Sequence, residues 1–263
     1  MDELVSSVSN PVVKQIRNLR QRKGRDEAGL FLVEGIHHVG EAIEAGWKIE
    51  RLIYAPDQLT SDFARHLVNE QDQNNVHCTA MTSTLFNTIA EKENPQGILA
   101  IVHKRHQSLE DVEIGKIRYG VALVTPQDPG NVGTILRTLD AVGGDGLFLL
   151  NGGVDPYHPS SVRASMGTIF WKTIVQAAFD EFVRWTRRNG YRLVGSSAHA
   201  ETDYRAFQRG DQPTILIFGS EQKGLSKEQR LACDLCLSIP MKGRASSLNL
   251  AIAAGILLYA MLD

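Results

Sequence analysis

Apolar positions along this chain switch repeatedly between short continuous runs and a helical period, which predicts alternating strands and helices. After Ser9-Asn10-Pro11, a helix-start signal with Pro at the first helical position, Val12, Val13, Ile16 and Leu19 form one apolar face. Leu30 to Val33 predicts a strand, Ile36 to Glu44 a helix closed by Gly46, and Ile49 to Ala55 a second strand. A helix over Phe63 to Asn69 and a strand over Val76 to Thr79 follow. The stretch His103 to Arg118 is polar and aperiodic, so 105–117 is expected to link two domains, 1–104 and 118–263. Alternation then resumes, with strands expected at 119–124, 146–150, 172–176, 191–197, 214–218 and 235–239. Helices are expected at 131–142, 161–167, 178–189, 226–232 and 247–262. The runs YGVALV and TILIF are apolar almost throughout, as in a parallel sheet covered on both faces. The fold class is therefore α/β, a small domain followed by a larger parallel-sheet domain.

Composition narrows the class. The chain has 263 residues, 43% of them hydrophobic and 22% charged, which is ordinary globular usage. Three cysteines, Cys78, Cys233 and Cys236, argue against a disulfide framework and fit a reducing, cytoplasmic setting. The N-terminus has no apolar stretch of the signal-peptide kind, and the longest apolar run, Leu250 to Leu262, is shorter than the roughly 18 residues of a membrane span. Residues 1–117 carry 13 Lys and Arg against 17 Asp and Glu, and 118–263 carry 15 against 13. Nucleic-acid binding must then rely on local patches. One candidate is Lys14, Arg17, Arg20, Arg22, Lys23 and Arg25, read as a helix face running into a flexible loop. Adjacent His37 and His38 point about 100° apart on a helix and have no HExxH or Cys partner, so no metal site is expected.

Three loops that follow predicted strands carry the candidate chemistry, because ligands of parallel sheets sit beyond the strands' carboxyl ends. In QDPGNVGTILRT, Asn131, Thr134 and Arg137 step along one polar strip of a helix. Its glycines do not form GxGxxG, which argues against a dinucleotide site. In IFGSEQKGLS, Leu225 stands where a P-loop requires Lys, which argues against a nucleotide hydrolase. What remains is a tight glycine turn bearing one carboxylate, Glu221. In IPMKGRASSLNLAIAAGILLY, two cations precede Ser246 or Ser247 as helix cap, and a helix apolar nearly all round must be buried in the core or against a second subunit. The nearby Cys233-Cys236 pair reads as packing, since a single CxxC does not complete a zinc site.

These three segments, in this order, resemble the three motifs of the SpoU (TrmH) family of RNA 2′-O-ribose methyltransferases. FLVEGIHHVGEAIEAGWKIERLIYA, with QGILAIV at its exit, resembles the L30e-like RNA-binding domain that many members carry in front. The resemblance implies a SPOUT fold with a C-terminal trefoil knot, S-adenosylmethionine as cofactor, a homodimer formed through the catalytic domain, and no metal. It implies that Asn131 and Arg137 act from the first motif, Glu221 from the second, and Ser247 and Asn249 from the third, with the cofactor against Gly219, Ile239, Met241 and Leu248. Leu250 and Ala251 stand where many members have Val and Ser.

The implied reaction moves a methyl group to a ribose 2′-hydroxyl, the group that separates RNA from DNA. A guanidinium stays protonated, so Arg137 is better suited to hold a phosphate and stabilise the developing oxyanion than to act as a base. Asn131 would orient the ribose. Arg163, Lys242 and Arg244 join the N-terminal cations as candidates for phosphate contact. Ribosomal RNA is the expected substrate. Transfer RNA, and a non-catalytic RNA-binding protein with a degenerate knot, are the alternatives.

Overall fold

The computed structural model describes residues 4–91 and 93–262. Its chain divides into two compact units, one containing the residues up to Arg105 together with Tyr157–Phe170, the other containing His106–Pro156 and the residues from Trp171 onward.

The first unit opens on α1 (Pro11–Leu19), where Asn10 accepts the Val12 N–H and Pro11 sits in the first turn. Val13, Ile16 and Leu19 fall on one face and are fully buried. A second helix, α2 (Arg22–Ala28), occupies the segment expected to be a flexible loop. It approaches α1 so closely that a side chain at Gly24 would lie 2.2 Å from the Asn18 carbonyl oxygen. Arg25 is 1% exposed, and its Nη1 donates to the carbonyls of Leu19 and Arg20 at 3.1 and 2.8 Å. Those groups at the end of α1 lack partners within the helix, and a guanidinium satisfies them. Arg25 is thus a buried clamp, and the expectation that it contacts RNA is corrected.

Then follow β1 (Leu30–Glu34), α3 (Ile36–Glu44), β2 (Ile49–Tyr54), α4 (Asp62–Gln73), β3 (His77–Ala80), α5 (Ser83–Ile89) and β4 (Ile98–His103). The sheet order is β1-β4-β2-β3, with β4 antiparallel to β1 and β2, and β2 parallel to β3. The element pattern did not predict α5 or β4.

The second unit carries β5 (Tyr119–Val124), α6 (Pro129–Ala141) and β6 (Gly146–Leu150). After α7 (Pro159–Ala164), which packs in the first unit, come β7 (Thr173–Ala177), α8 (Phe179–Arg188), β8 (Arg192–Ser196), β9 (Thr202–Asp203), β10 (Thr214–Phe218), α9 (Lys227–Leu231), β11 (Leu235–Ser238) and α10 (Leu250–Tyr259). The seven strands are ordered β7-β6-β5-β10-β8-β11-β9, and every pairing is parallel. All five residues of β10 are buried, as its unbroken apolar run requires of a central strand. Leu123 is in register with Phe218, and Gly195 with Ile217. The loops after β5, β8 and β10 therefore leave the sheet side by side. The expected linker holds a short helical turn at Leu109–Asp111, and Val112 and Ile117 are buried in this unit's core. Apart from its first residue it belongs to the second unit, because these two apolar side chains find cover there.

The inserted segment Tyr157–Phe170 completes the first unit. Tyr157 and Phe170 pack with Phe31 and Trp47, with ring centroids 4.6 Å apart for Phe31–Tyr157 and 5.4 Å for Trp47–Phe170. Trp47 Nε1 donates to the Phe170 carbonyl at 2.9 Å. The two histidines find their use here: Nε2 of His37 lies 3.1 Å from the Met166 carbonyl and Nε2 of His38 lies 3.3 Å from that of Arg163. A carbonyl only accepts, so both nitrogens carry their protons. Arg163 and Arg20 share the Glu91 carboxylate, and Arg20 also donates to the Ile89 carbonyl. The two cations share one carboxylate, so a net positive charge remains on the trio, and Arg20 and Arg163 are held in place by Glu91. Trp47→Ala is expected to destabilise the first unit by about 3–5 kcal/mol, measured as a shift of the urea midpoint followed by circular dichroism.

Candidate active site

Glu221 is the centre of the site. It lies in the loop after β10, and its carboxylate accepts the backbone N–H of Gln127 at 3.2 and 3.1 Å and that of Asp128 at 3.3 Å. These donors open α6, where Asp128 caps the Gly130 N–H at 2.7 Å and Pro129 occupies the first turn. A carboxylate is favoured there, since the helix N-terminus carries partial positive charge. Nδ2 of Asn131 donates to the same carboxylate at 3.4 Å, and Oδ1 of Asn131 accepts from Nδ2 of Asn249 at 3.0 Å. Oδ1 of Asn249 in turn accepts the N–H of Ala251 at 2.8 Å and of Ile252 at 3.3 Å. Asn249 therefore caps α10, where Ser246 or Ser247 had been expected to. The three candidate loops are joined by one chain of hydrogen bonds through Glu221, Asn131 and Asn249. Asn131 is 7% exposed and its amide is engaged at both ends. It ties loops together here.

Beside this chain lies a cavity of about 590 Å³, inside the range of roughly 300–1,000 Å³ usual for small-molecule sites. Gly219, Ile239, Met241 and Leu248 all line it, as do Glu221, Ser247 and Asn249. The turn beneath it admits no side chain at position 219, where a Cβ would meet the Gly224 carbonyl carbon at 1.9 Å. Gly224 has φ +63° and donates its N–H to the Ser220 carbonyl at 2.8 Å. The loop after β8, Ser196 to His199, forms a further wall that the sequence reading missed. It bears no glycine-rich motif. Its position beyond the carboxyl end of a strand next to β10 was the available signal.

Arg137 is placed differently. It is exposed on α6, is not among the residues lining the cavity, and has no partner among the described residues. Lys242 and Arg244 are exposed on the loop that brings Met241 to the cavity. Lys14 and Arg17 are exposed on α1. Arg22 and Lys23 are exposed beside Asp26 and Glu27, one turn along α2, at 3.6 and 3.8 Å. Cys233 and Cys236 pack against Gly195, where an added Cβ would lie 2.9 Å from either sulfur. Burial, then the neighbouring Cys236, raises the Cys233 thiol's pKa, so it stays protonated at neutral pH. Among the described residues no group of three His, Cys, Asp or Glu could hold a metal ion, and no helix is long and apolar enough to cross a membrane.

Residues 118–259 match the SpoU rRNA Methylase family, and residues 10–100 match the MRM3-like substrate binding domain. The chain is 36% identical over 248 residues to the 23S rRNA (uridine(2479)-2′-O)-methyltransferase of Streptomyces viridochromogenes, covering 92% of this chain and 85% of that protein. It is 29% identical over 256 residues to the 23S rRNA (guanosine(2553)-2′-O)-methyltransferase RlmP of Bacillus subtilis, covering 97% of each. The crystal structure of the AdoMet-bound rRNA methyltransferase from Sinorhizobium meliloti superposes with a TM-score of 0.90 at 36% identity, over 98% of this chain and 96% of that one.

The hydrogen-bonded chain has a measurable energy. Asn249→Ala is expected to cost about 0.5–2 kcal/mol through the lost helix cap alone. Asn131→Ala and Asn249→Ala combined are expected to show a coupling of roughly 0.5–3 kcal/mol, measured by a double-mutant cycle in urea; strict additivity would mean that the amide–amide contact does not tie the loops.

Proposed function

We propose a function from one premise, that the chain belongs to the SpoU rRNA methylase family. It transfers a methyl group from S-adenosylmethionine to the 2′-hydroxyl of a ribose in RNA, with 23S ribosomal RNA as its substrate. The observation that carries this reading is that Gly219, Ile239, Met241 and Leu248, from two separate loops, line one cavity beside the Glu221–Asn131–Asn249 chain.

The donor set fits the cofactor. Ile239 and Leu248 give apolar surface for an adenine, and the glycine turn at 219–224 lets backbone groups approach closely. When bound, the cofactor supplies a methyl group already activated on a sulfonium. The protein's task is then placement, which can be worth about 7–11 kcal/mol of a barrier in well-oriented cases. Glu221, Asn131 and Asn249 serve that task as positioning residues by holding the cavity's loops to α6 and α10. Ser247, exposed at the cavity, is available to the ribose. Arg137, Lys242 and Arg244 hold the phosphates that flank it. The guanidinium of Arg137, permanently charged, stabilises the 2′-oxygen as its proton leaves to water.

The same reading includes the trefoil knot. Its support is that the chain leaves β11, beyond β10 and β8 in the sheet, yet returns to pack α10 against α6. It includes a homodimer formed through the catalytic domain. Ala254 and Leu257 of α10 are buried within the chain, whereas Ile252 and Tyr259 are 55% and 56% exposed, leaving an apolar face for a second copy. The first unit, with its inserted segment, selects the RNA site, and the second performs the transfer, in the cytoplasm where ribosomal RNA is processed. Lys14 and Arg17 contribute phosphate contacts from α1. The same helix supplies Val13, Ile16 and Leu19 to the core.

Arg137→Ala is expected to lower methyl transfer by on the order of 10²-fold or more while leaving S-adenosylmethionine affinity near wild type. Calorimetry with the cofactor and mapping of 2′-O-methyl sites in 23S rRNA check this. A wild-type protein that gives no heat with the cofactor would mean an RNA-binding protein without catalysis. Ile252→Asp is expected to halve the mass read by light scattering after size exclusion, and a wild-type protein already at single-chain mass would remove the dimer.

A further inference from the structure

A second cavity, of about 550 Å³, opens in the first unit beside β3. This strand is outermost in its sheet. Among the described residues its outer side is covered at one end, where Val5 donates its N–H to the Ala80 carbonyl at 2.9 Å and accepts from Thr82 at 3.0 Å. Alternate residues of a parallel strand bond to opposite sides. Met81 N–H bonds to Tyr54 on the β2 side, so Thr79 and His77 face β2, and Cys78 turns its N–H and C=O to the outer edge, where no described residue bonds to them. Arg51, in register with His77, donates from Nη1 to Thr79 Oγ1 at 2.9 Å. The rest of that guanidinium has no partner among the described residues. Val12, half-buried at the start of α1, supplies an apolar wall, and exposed Asp72 stands at the rim.

We propose that this cavity holds one unpaired nucleotide of the RNA substrate. The proposal rests on the methyltransferase reading for the class of ligand alone. A bare anion is disfavoured by Asp72, and a bare cation by Arg51. An unstacked nucleotide suits the set: Val12 packs on the flat face of the base, the N–H and C=O of Cys78 meet donors and acceptors on its edge, and Arg51 holds the phosphate. A peptide strand fits less well. Strand addition needs a run of main-chain bonds, and the open edge offers Cys78 between Val76, whose N–H is bonded to Gln71, and Ala80, which is taken by Val5. Unstacked bases are where sequence-specific RNA recognition operates, so this cavity would help choose the site to be modified.

The test uses the full chain, ¹⁵N-labelled and saturated with S-adenosylmethionine so that nucleotides do not enter the other cavity. It is titrated in turn with AMP, GMP, CMP and UMP while amide shifts are recorded. At least one nucleotide is expected to move the amides of His77, Cys78 and Thr79 saturably. Arg51→Ala is expected to weaken that binding roughly tenfold, the size of a lost charge-assisted hydrogen bond. Val12→Trp, which fills the space and keeps every polar group, is expected to abolish it. The proposal is overturned if no nucleotide moves these amides, or if the shifts persist unchanged in both variants. It is overturned in favour of strand pairing if a short Val-Thr peptide moves them and nucleotides do not. Cofactor binding is read in the same samples from the amides of Gly219 and Leu248, so a failure of the methyltransferase reading is seen separately.

Discussion

The second unit depends on a single carboxylate satisfying the start of a helix that belongs to a different strand–helix step. Glu221 sits after β10, while the N–H groups it accepts, those of Gln127 and Asp128, open α6 after β5. Backbone donors at a helix start have no partner within the helix. The carboxylate meets that need and also anchors Asn131, which passes the connection to Asn249 and so to the start of α10. Two loops and two helix ends are thereby fixed relative to one another. A cavity between loops holds its shape only when the loops do, which is why the tie and the cavity are one arrangement.

Backbone geometry makes the same demand more locally. The turn from Gly219 to Gly224 folds back so tightly that its first residue has no room for a Cβ, and its last requires a left-handed φ. Gly195 on the adjacent strand β8 is constrained less severely, by the sulfurs of Cys233 and Cys236. The cysteine pair thus acts by volume, holding β8 at a set distance from the chain that leads into β11. Burial, and then the neighbouring Cys236, raises the pKa of the Cys233 thiol.

In the first unit the arginines show why a count of charges misleads. Six cations between residues 14 and 25 read as an RNA-binding patch. Their environments separate them: Arg25 closes a helix end from inside the core, Arg20 pairs with Glu91, and Lys14 and Arg17 remain exposed. Arg163, 138 positions beyond Arg25 in the chain, joins Arg20 on the same carboxylate. An arginine's function follows from the anion nearest to it in space, and linear order does not reveal which one that is. The two related enzymes, one acting on a uridine and one on a guanosine, point the same way. The motifs common to the family specify the transfer, and choice of nucleotide must come from elsewhere in the molecule.

The sequence by itself determined the alternation of elements, the parallel sheet and the three candidate loops, because these follow from local periodicity and from turn residues such as Gly219 and Pro129. It also placed Gly219, Ile239, Met241 and Leu248 together, through resemblance of whole motifs. Only the tertiary structure decided what each polar side chain does. Asn131, to which the resemblance gave the role of orienting the ribose, bonds to Glu221 and Asn249, which are 90 and 118 positions away. Tyr157–Phe170 looked like part of the second domain because it is continuous with it, and packs in the first because Phe31 and Trp47 offer its aromatic rings cover. Periodicity reports which face of an element is buried. Hydrogen-bond partners and the cover for an aromatic ring come from contacts distant in sequence, which no local pattern encodes.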